Sequence, residues 1–190
     1  MTPFWNPRSA PRPRAAAAVV AGIAIGVAGG GIATASGQKG SQASAGQVVA
    51  GSALNEYPTP AGPGSARLNV AAQSGPGGSN PRGYVSAKGT GGAPMTEFSV
   101  GGRVTCVRVE GNRASIKYRF DRATGAAAAF EGGGVQVFIE DNGAPGGGSA
   151  DANANGPPQP AGAFDAAATQ CDDPNAAAYD TVESGNYTVR

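Results

Sequence analysis

The sequence predicts an all-β domain, an antiparallel sandwich or barrel of six to eight short strands joined by long loops rich in Gly and Pro. Three observations predict it. Short segments of alternating polarity recur in the second half of the chain. Gly and Pro, 32 and 15 of the 190 residues, are concentrated between them. Outside the N-terminal segment, no stretch of about ten residues carries the periodicity of a helix.

The first 35 residues have the layout of a secretory signal. Three arginines precede an apolar run over 15–35, which closes in Ala33-Thr34-Ala35, small residues of the kind that signal peptidase recognises. An uncleaved membrane anchor is the alternative, because the run is long enough to cross a bilayer. Either way, we expect the rest of the chain to be secreted or extracellular, with membrane contact only through this segment.

The remaining chain divides into two parts. Residues 36–65 lack periodicity and are rich in Gly, Ser, Ala and Pro, which predicts a flexible linker. Residues 66–190 have the length of one small domain and are predicted to form the β-domain.

Within the β-domain the strand patterns can be ordered along the chain. Gly111-Asn112 between two patterned segments predicts a tight hairpin. The residues after it alternate strictly, which predicts a half-buried strand with one basic face in water. Before it, the apolar parity changes between Cys106 and Val107, which predicts a bulge or two partly covered faces. The predicted strands cover 67–71, 82–88, 102–109, 113–120, 134–140 and 186–189. Residues 147–163 have little to bury and are predicted to form a long loop.

Composition excludes several classes of function. Histidine is absent, which removes Ser-His-Asp and Cys-His nucleophiles and every His-ligated metal site. The net charge of +1 offers no electrostatic basis for binding nucleic acid. The two cysteines, Cys106 and Cys171, predict one disulfide in an oxidising compartment, with a reactive thiol or a metal pair as alternatives.

Several short motifs follow one another along the domain: Gly102-Arg103-Val104-Thr105-Cys106, Gly111-Asn112-Arg113-Ala114, the segment 137–146, Cys171 and the segment 184–189. In this order they resemble a small β-domain of exported actinobacterial proteins, a largely uncharacterised family. The resemblance spans about residues 66 to 190. It implies an exported β-domain, supports the disulfide, and supplies no catalytic residues.

Two acidic clusters are the candidate binding residues. Asp141 and Asn142 follow a predicted strand and Asp151 lies a short loop further on, so their oxygens suit Ca²⁺, although Asp-Asn-Gly is also a common turn sequence. Asp172 and Asp173 form a second cluster beside Cys171. Apart from this calcium alternative, no cofactor is expected, and no metal ligand is assigned.

The chain is expected to be a non-enzymatic structural or interaction module at the cell surface or in the medium, with an unidentified partner that a cell envelope would supply. One alternative is a module that binds a cation or small ligand through the loops at Asp141 and Asp172. Another is a hydrolase using carboxylates such as Glu131 and Glu140. The only Trp lies in the signal segment, so the usual sugar-stacking side chain is missing from the domain.

Overall fold

The computed structural model describes residues 46–59, 61–91, 96–144 and 149–190. All of them fall within one compact unit, Ala43–Arg190. The predicted signal segment over 1–35 and the first part of the predicted linker lie outside the described residues.

The described chain is almost entirely antiparallel β structure, which confirms the predicted fold class. The sheet has ten strands rather than six to eight and is curled into a half-barrel. The strands are β1 (Gln47–Thr59), β2 (Gly62–Ser74), β3 (Arg82–Gly91), β4 (Thr96–Glu110), β5 (Arg113–Arg119), β6 (Arg122–Gly125), β7 (Gly134–Glu140), β8 (Ala152–Asn155), β9 (Asp180–Thr181) and β10 (Ser184–Val189). A short helix α1 (Ala161–Asp165) and single 3₁₀ turns at Pro76–Gly78, Ala128–Phe130 and Pro174–Ala176 complete the described elements.

The strand order is β10-β1-β2-β3-β4-β5-β7-β8-β9, with β6 paired to β4. Strand β4 is the corner: its first part pairs with β3 and β6, and its second part with β5. The β4–β5 register shifts between Val104 and Cys106, so the parity change in the sequence marks a bulge. Next to it the backbones approach so closely that a Cβ on Gly102 would lie 1.4 Å from the Arg119 carbonyl oxygen.

The predicted linker over 36–65 is wrong in its second half, because β1 lies there. Strand β1 pairs with β2 along its whole length and with β10 on its other side. Its residues are mostly small, so the sequence shows only weak alternation, yet Val49 and Ala53 are fully buried. Hydrogen bonds from two neighbouring strands stabilise this segment more than its own side-chain pattern indicates.

The predicted long loop over 147–163 is also partly structured. Strand β8 pairs with the edge of β7, and α1 follows it. The backbone of β7 supplies unpaired N–H and C=O groups at that edge, and a polar segment such as Ala152–Asn155 can satisfy them without an apolar pattern of its own.

The core fills the concave side of the sheet. Its fully buried side chains come from both halves of the curl; among them are Val49, Val85, Ile116, Val137, Ile139 and Tyr187. The predicted alternation in β5 is confirmed on this side, where Ala114, Ile116 and Tyr118 are buried.

The outer side of β5 is covered, and the prediction of a basic face in water is therefore wrong. Residues 161–179, called the strap here, cross this side of the sheet. Ser115 Oγ donates to the Asp172 carbonyl at 2.7 Å, and Lys117 Nζ donates to the Ala167 carbonyl at 3.1 Å. Ser115 is fully buried and Lys117 is only 8% exposed. The polar residues of β5 are thus contacts for another segment of the chain.

An arginine at each end of β5 contacts the strap. The Arg113 guanidinium lies 5.1 Å from the centre of the Tyr179 ring, and that of Arg119 lies 5.4 Å from the Phe164 ring. Arg119 also forms an ion pair with Asp165. Within the described ranges, α1 is the longest helix at five residues, and no helix there is long and apolar enough to cross a bilayer.

Candidate functional site

Cys106 and Cys171 are joined in a disulfide, as the sequence predicts, with their Cα atoms 5.7 Å apart. The bond connects β4 to the middle of the strap. Close to it, Thr105 Oγ1 donates to the Ala168 carbonyl at 2.6 Å. The disulfide therefore fixes the strap to the outer side of the sheet.

A shallow groove of about 380 Å³ lies beside this bond. The 3₁₀ turn at Pro76–Gly78, the end of β4 and the strap form its walls, and both cysteines contribute to its lining. Because the strap is one wall, the shape of the groove depends on the disulfide.

Asp141 and Asp151, called the acidic pair here, lie where the two ends of the curled sheet meet. Asp151 Oδ2 accepts the backbone N–H of Tyr187 at 2.5 Å, and Asp141 Oδ2 accepts that of Val189 at 2.9 Å. Both donors are on the outer edge of β10. The carboxylates thus satisfy edge N–H groups that would otherwise need another strand.

The second oxygen of each carboxylate is also occupied. Asp151 Oδ1 accepts from the Asn142 N–H at 2.8 Å, and Asp141 Oδ1 from the Gly143 N–H at 2.9 Å. Asp151 is only 3% exposed, and a buried carboxylate is costly unless such donors surround it. The structure therefore brings together Asp141, Asn142 and Asp151, and their contacts are those of a turn that also holds β10.

The second acidic cluster has separate partners. Asp173 Oδ1 accepts from the Asn175 N–H at 2.8 Å and caps the 3₁₀ turn, and Asp172 contributes its carbonyl to Ser115. Their hydrogen bonds do not involve Asp141 or Asp151. Within the residues that the structure describes, no group of three or more Cys, Asp and Glu side chains is arranged to hold a metal ion.

The two glutamates considered for hydrolysis also have different surroundings. Glu140 forms an ion pair with Arg113 at 2.8 Å, directly across the β5–β7 ladder. Glu131 is exposed beyond the 3₁₀ turn at Ala128–Phe130. The Glu140 carboxylate thus has a structural partner in the sheet.

A polar cluster crosses the interior of the half-barrel. Asn55 and Asn153 exchange two side-chain hydrogen bonds of 2.8 Å, and Asn153 Nδ2 also donates to the Tyr187 hydroxyl at 3.0 Å. Burial raises the pKa of Tyr187 to about 12, and the hydrogen bond from Asn153 opposes that rise. The cluster links β1, β8 and β10. Like the acidic pair, it therefore connects the two ends of the curled sheet.

In the other half of the sheet, no further segment of the described residues covers the outer side, called the open face here. It is formed by the outward residues of β10, β1, β2, β3, the first part of β4, and β6. The strand registers align these residues in rows across the strands. The middle row consists of Asn186, Ser52, Asn69, Ser86, Gly101 and Arg122.

Hydroxyl and amide groups in this row contact one another. Ser52 Oγ donates to Asn69 Oδ1 at 2.8 Å, and Asn69 Nδ2 donates to Ser86 Oγ at 3.5 Å. At a strand spacing of about 4.8 Å, the six-strand row is roughly 24 Å wide. The open face therefore carries a line of hydrogen-bonding groups that is interrupted at Gly101.

Tyr84 lies on the open face above Gly101. A Cβ added to Gly101 would lie 2.7 Å from the Tyr84 hydroxyl and 3.2 Å from its Cε1 and Cζ atoms. The missing side chain lets the ring rest on the sheet, and Tyr84 remains 48% exposed. The domain thus has an exposed aromatic platform, although its sequence lacks Trp there.

The cations of the two outer sides differ in their partners. On the strap side, carboxylates pair with Arg108, Arg113 and Arg119. On the open face, Arg103 pairs with Asp121. There Arg67 and Lys88 stand directly opposite each other on β2 and β3. Across the described ranges, no carboxylate lies within 4.0 Å of the charged nitrogens of either residue.

Sequence reasoning missed the open face because its residues come from six strands. The alternation of Arg67, Asn69 and Ala71 with buried Leu68 and Val70 was the available signal. It indicates an outward side of one strand, and only the cross-strand registers show which residues share a row.

Comparisons with protein-family models, with curated proteins and with solved structures find no match to this chain.

Proposed function

We propose that the chain is an exported, non-enzymatic interaction module that contacts a component of the cell envelope through the open face. The observation that carries the proposal is the contrast between the two outer sides of the sheet. One side is covered by the strap and its cations have partners. The other side presents polar rows, an exposed ring and, at Arg67 and Lys88, a pair of neighbouring cations that no carboxylate of the described ranges contacts.

Export is supported by the signal-like segment at the N-terminus and by the disulfide, since disulfides persist in oxidising compartments. A structural role for the acidic residues is supported by their contacts with backbone N–H groups. These contacts leave the open face as the surface that suits a partner.

A steric block of the open face tests this function. Asn69→Cys places a thiol in the middle row, and Ala166→Cys places one on the exposed surface of the strap. Each variant is folded with its disulfide intact and then coupled to a maleimide-linked polyethylene glycol. Binding is measured by co-sedimentation with purified actinobacterial cell envelopes.

We expect the polymer at residue 69 to abolish sedimentation and the polymer at residue 166 to leave it unchanged. Equal sedimentation of both conjugates and the unmodified protein would contradict the assignment to the open face. Circular dichroism of both conjugates checks that the fold is retained.

A further inference from the structure

We infer that the open face binds an acidic polysaccharide, a glycan chain in which some of the sugar rings carry carboxylate groups. The inference rests on the proposed function and names the ligand class of the same surface. Three independent features of the face carry it: a pair of like charges, a line of polar groups, and an aromatic ring that lies on the sheet.

The like-charged pair is the first feature. Arg67 and Lys88 are direct cross-strand neighbours, and like charges in such positions destabilise a sheet. Arg67 Nη1 donates a hydrogen bond to an uncharged group, Ser52 Oγ, at 3.4 Å. Carboxylates pair with four other arginines, Arg103, Arg108, Arg113 and Arg119, whereas in the described ranges none lies within 4.0 Å of Arg67 or Lys88, so an anion from a ligand suits this position.

The middle row is the second feature. Its hydroxyl and amide groups both donate and accept, which matches the hydroxyl groups of sugars. The row runs across the strands and is adjacent to the row that contains Arg67 and Lys88. A chain lying along the row can therefore place sugar hydroxyls on Ser52, Asn69 and Ser86 and a carboxylate on the cations.

Tyr84 is the third feature. Its ring rests over Gly101, which is the β4 partner of Ser86. The ring has a large exposed area. A flat aromatic surface beside polar groups can pack against the C–H face of a sugar ring while its hydroxyl stays hydrated. This contact would fix the position of one sugar relative to the charged pair.

Carboxylates at the edges of the open face favour a sparsely charged chain over nucleic acid as the ligand. Glu56 and Glu97 are exposed on the outward side of β1 and β4, and Asp121 pairs with Arg103 beside Tyr84. A phosphate at every nucleotide would meet these carboxylates as well as the cations. A polysaccharide can place its few charges on Arg67 and Lys88 and neutral rings elsewhere.

The test is binding of the full exported chain to hyaluronate, a polysaccharide with a carboxylate on every second sugar, measured by isothermal titration calorimetry at low salt. Neutral dextran and a single-stranded oligonucleotide are the comparison ligands. The variants are Lys88→Gln and Tyr84→Leu. Arg108→Gln is the matched control, since it removes one positive charge from the strap side.

We expect hyaluronate to bind, dextran to give no measurable heat, and added salt to weaken the binding. Lys88→Gln should weaken it about threefold to fivefold, and Tyr84→Leu about fivefold. Arg108→Gln should leave the affinity within about twofold of the parent. Urea unfolding of each variant checks that the domain is folded.

Equal losses in Lys88→Gln and Arg108→Gln would overturn the inference, because the effect would then follow net charge. Tighter binding of the oligonucleotide would assign the face to nucleic acid. If hyaluronate does not bind but the polymer at residue 69 still abolishes envelope binding, the ligand class is wrong and the interaction module stands. If both experiments are negative, both proposals fail.

Discussion

Asp151 shows how a single residue can replace part of a strand. Its two oxygens accept N–H groups from Asn142 and from Tyr187 on the edge of β10, and the residue is buried. An edge strand normally leaves such N–H groups to water or to another chain. Here a carboxylate accepts one of them, and Asp141 does the same for Val189. The candidate calcium ligands therefore have structural contacts.

We predict that Asp151→Ala lowers the free energy of unfolding by roughly 3 kcal/mol, because it leaves the buried N–H of Tyr187 without an acceptor and removes the contact to Asn142. The measurement is urea unfolding at neutral pH in the presence of EDTA. Asp180→Ala, an exposed carboxylate on β9, is the control and should change the free energy by less than about 0.5 kcal/mol. A parent protein stabilised by millimolar calcium, with that gain lost in Asp151→Ala, would instead support a cation site.

The raised pKa of the Tyr187 hydroxyl predicts that the domain loses stability at alkaline pH. Its pKa is about 12 in the folded domain and 10 in the unfolded chain. Between these values the unfolded chain loses the proton and the folded domain keeps it, so stability is full below about pH 10 and falls as the pH rises to about 12. A change of this size in one pKa corresponds to roughly 3 kcal/mol.

Urea unfolding between about pH 9 and about pH 12 measures this loss. Burial also raises the pKa values of Tyr118 and Tyr179. Part of the slope of unfolding free energy against pH should therefore remain when any one tyrosine is replaced. Tyr187→Phe should be less stable at neutral pH, since Asn153 loses an acceptor, and its slope should be shallower. An unchanged slope would show that the Tyr187 hydroxyl is not the group responsible.

At the scale of elements, the strap explains the polar side of β5. Arg113, Ser115, Lys117 and Arg119 alternate with core residues, which by itself indicates a face in water. Instead each of these side chains contacts the strap through a hydrogen bond, an ion pair or an aromatic ring. A segment with few large apolar side chains is thus held by polar contacts and by one disulfide.

We predict that the double substitution Cys106→Ala and Cys171→Ala lowers the free energy of unfolding by about 4 kcal/mol, because the bond closes a loop of 65 residues in the unfolded chain. Amide hydrogen exchange should increase first in the strap, at Phe164 and Ala167. Ser115→Ala, which removes one strap contact and keeps the disulfide, should cost only about 1 kcal/mol. Exchange that increases equally in β1 and in the strap would contradict a local role for the bond.

At the scale of the whole β-domain, β1 is the strand that joins the two ends of the curl. It pairs with β2 and β10, and its Asn55 reaches Asn153 on β8. The boundary inferred from composition, residue 66, falls inside β2 and would remove β1 completely. The folded unit therefore needs residues that resemble a linker in sequence.

We predict that a chain beginning at Gly46 unfolds cooperatively with a midpoint close to that of a chain beginning at Ser36. A chain beginning at Ala66 should show no cooperative transition, because β2 and β10 lose their common neighbour and the core loses Val49 and Ala53. Urea titrations followed by near-ultraviolet circular dichroism compare the two. A cooperative transition in the shorter chain would show that β1 is dispensable.

The sequence alone was sufficient for the features that depend on neighbouring residues. Alternation predicted β5, Gly111-Asn112 predicted its hairpin, and the parity change near Cys106 predicted the bulge in β4. The presence of two cysteines predicted the disulfide between them. Each of these signals lies within a few residues or rests on a count, so no knowledge of the fold is needed to interpret it.

Only the tertiary structure decided which strands are neighbours and which faces are covered. Strand β1 depends on hydrogen bonds from β2 and β10, the acidic pair depends on the approach of β10 to β7 and β8, and the basic side of β5 is covered by a segment about 50 residues away. The open face likewise exists only through the registers of six strands. Long-range backbone pairing leaves little trace in composition, because every residue carries the same N–H and C=O groups.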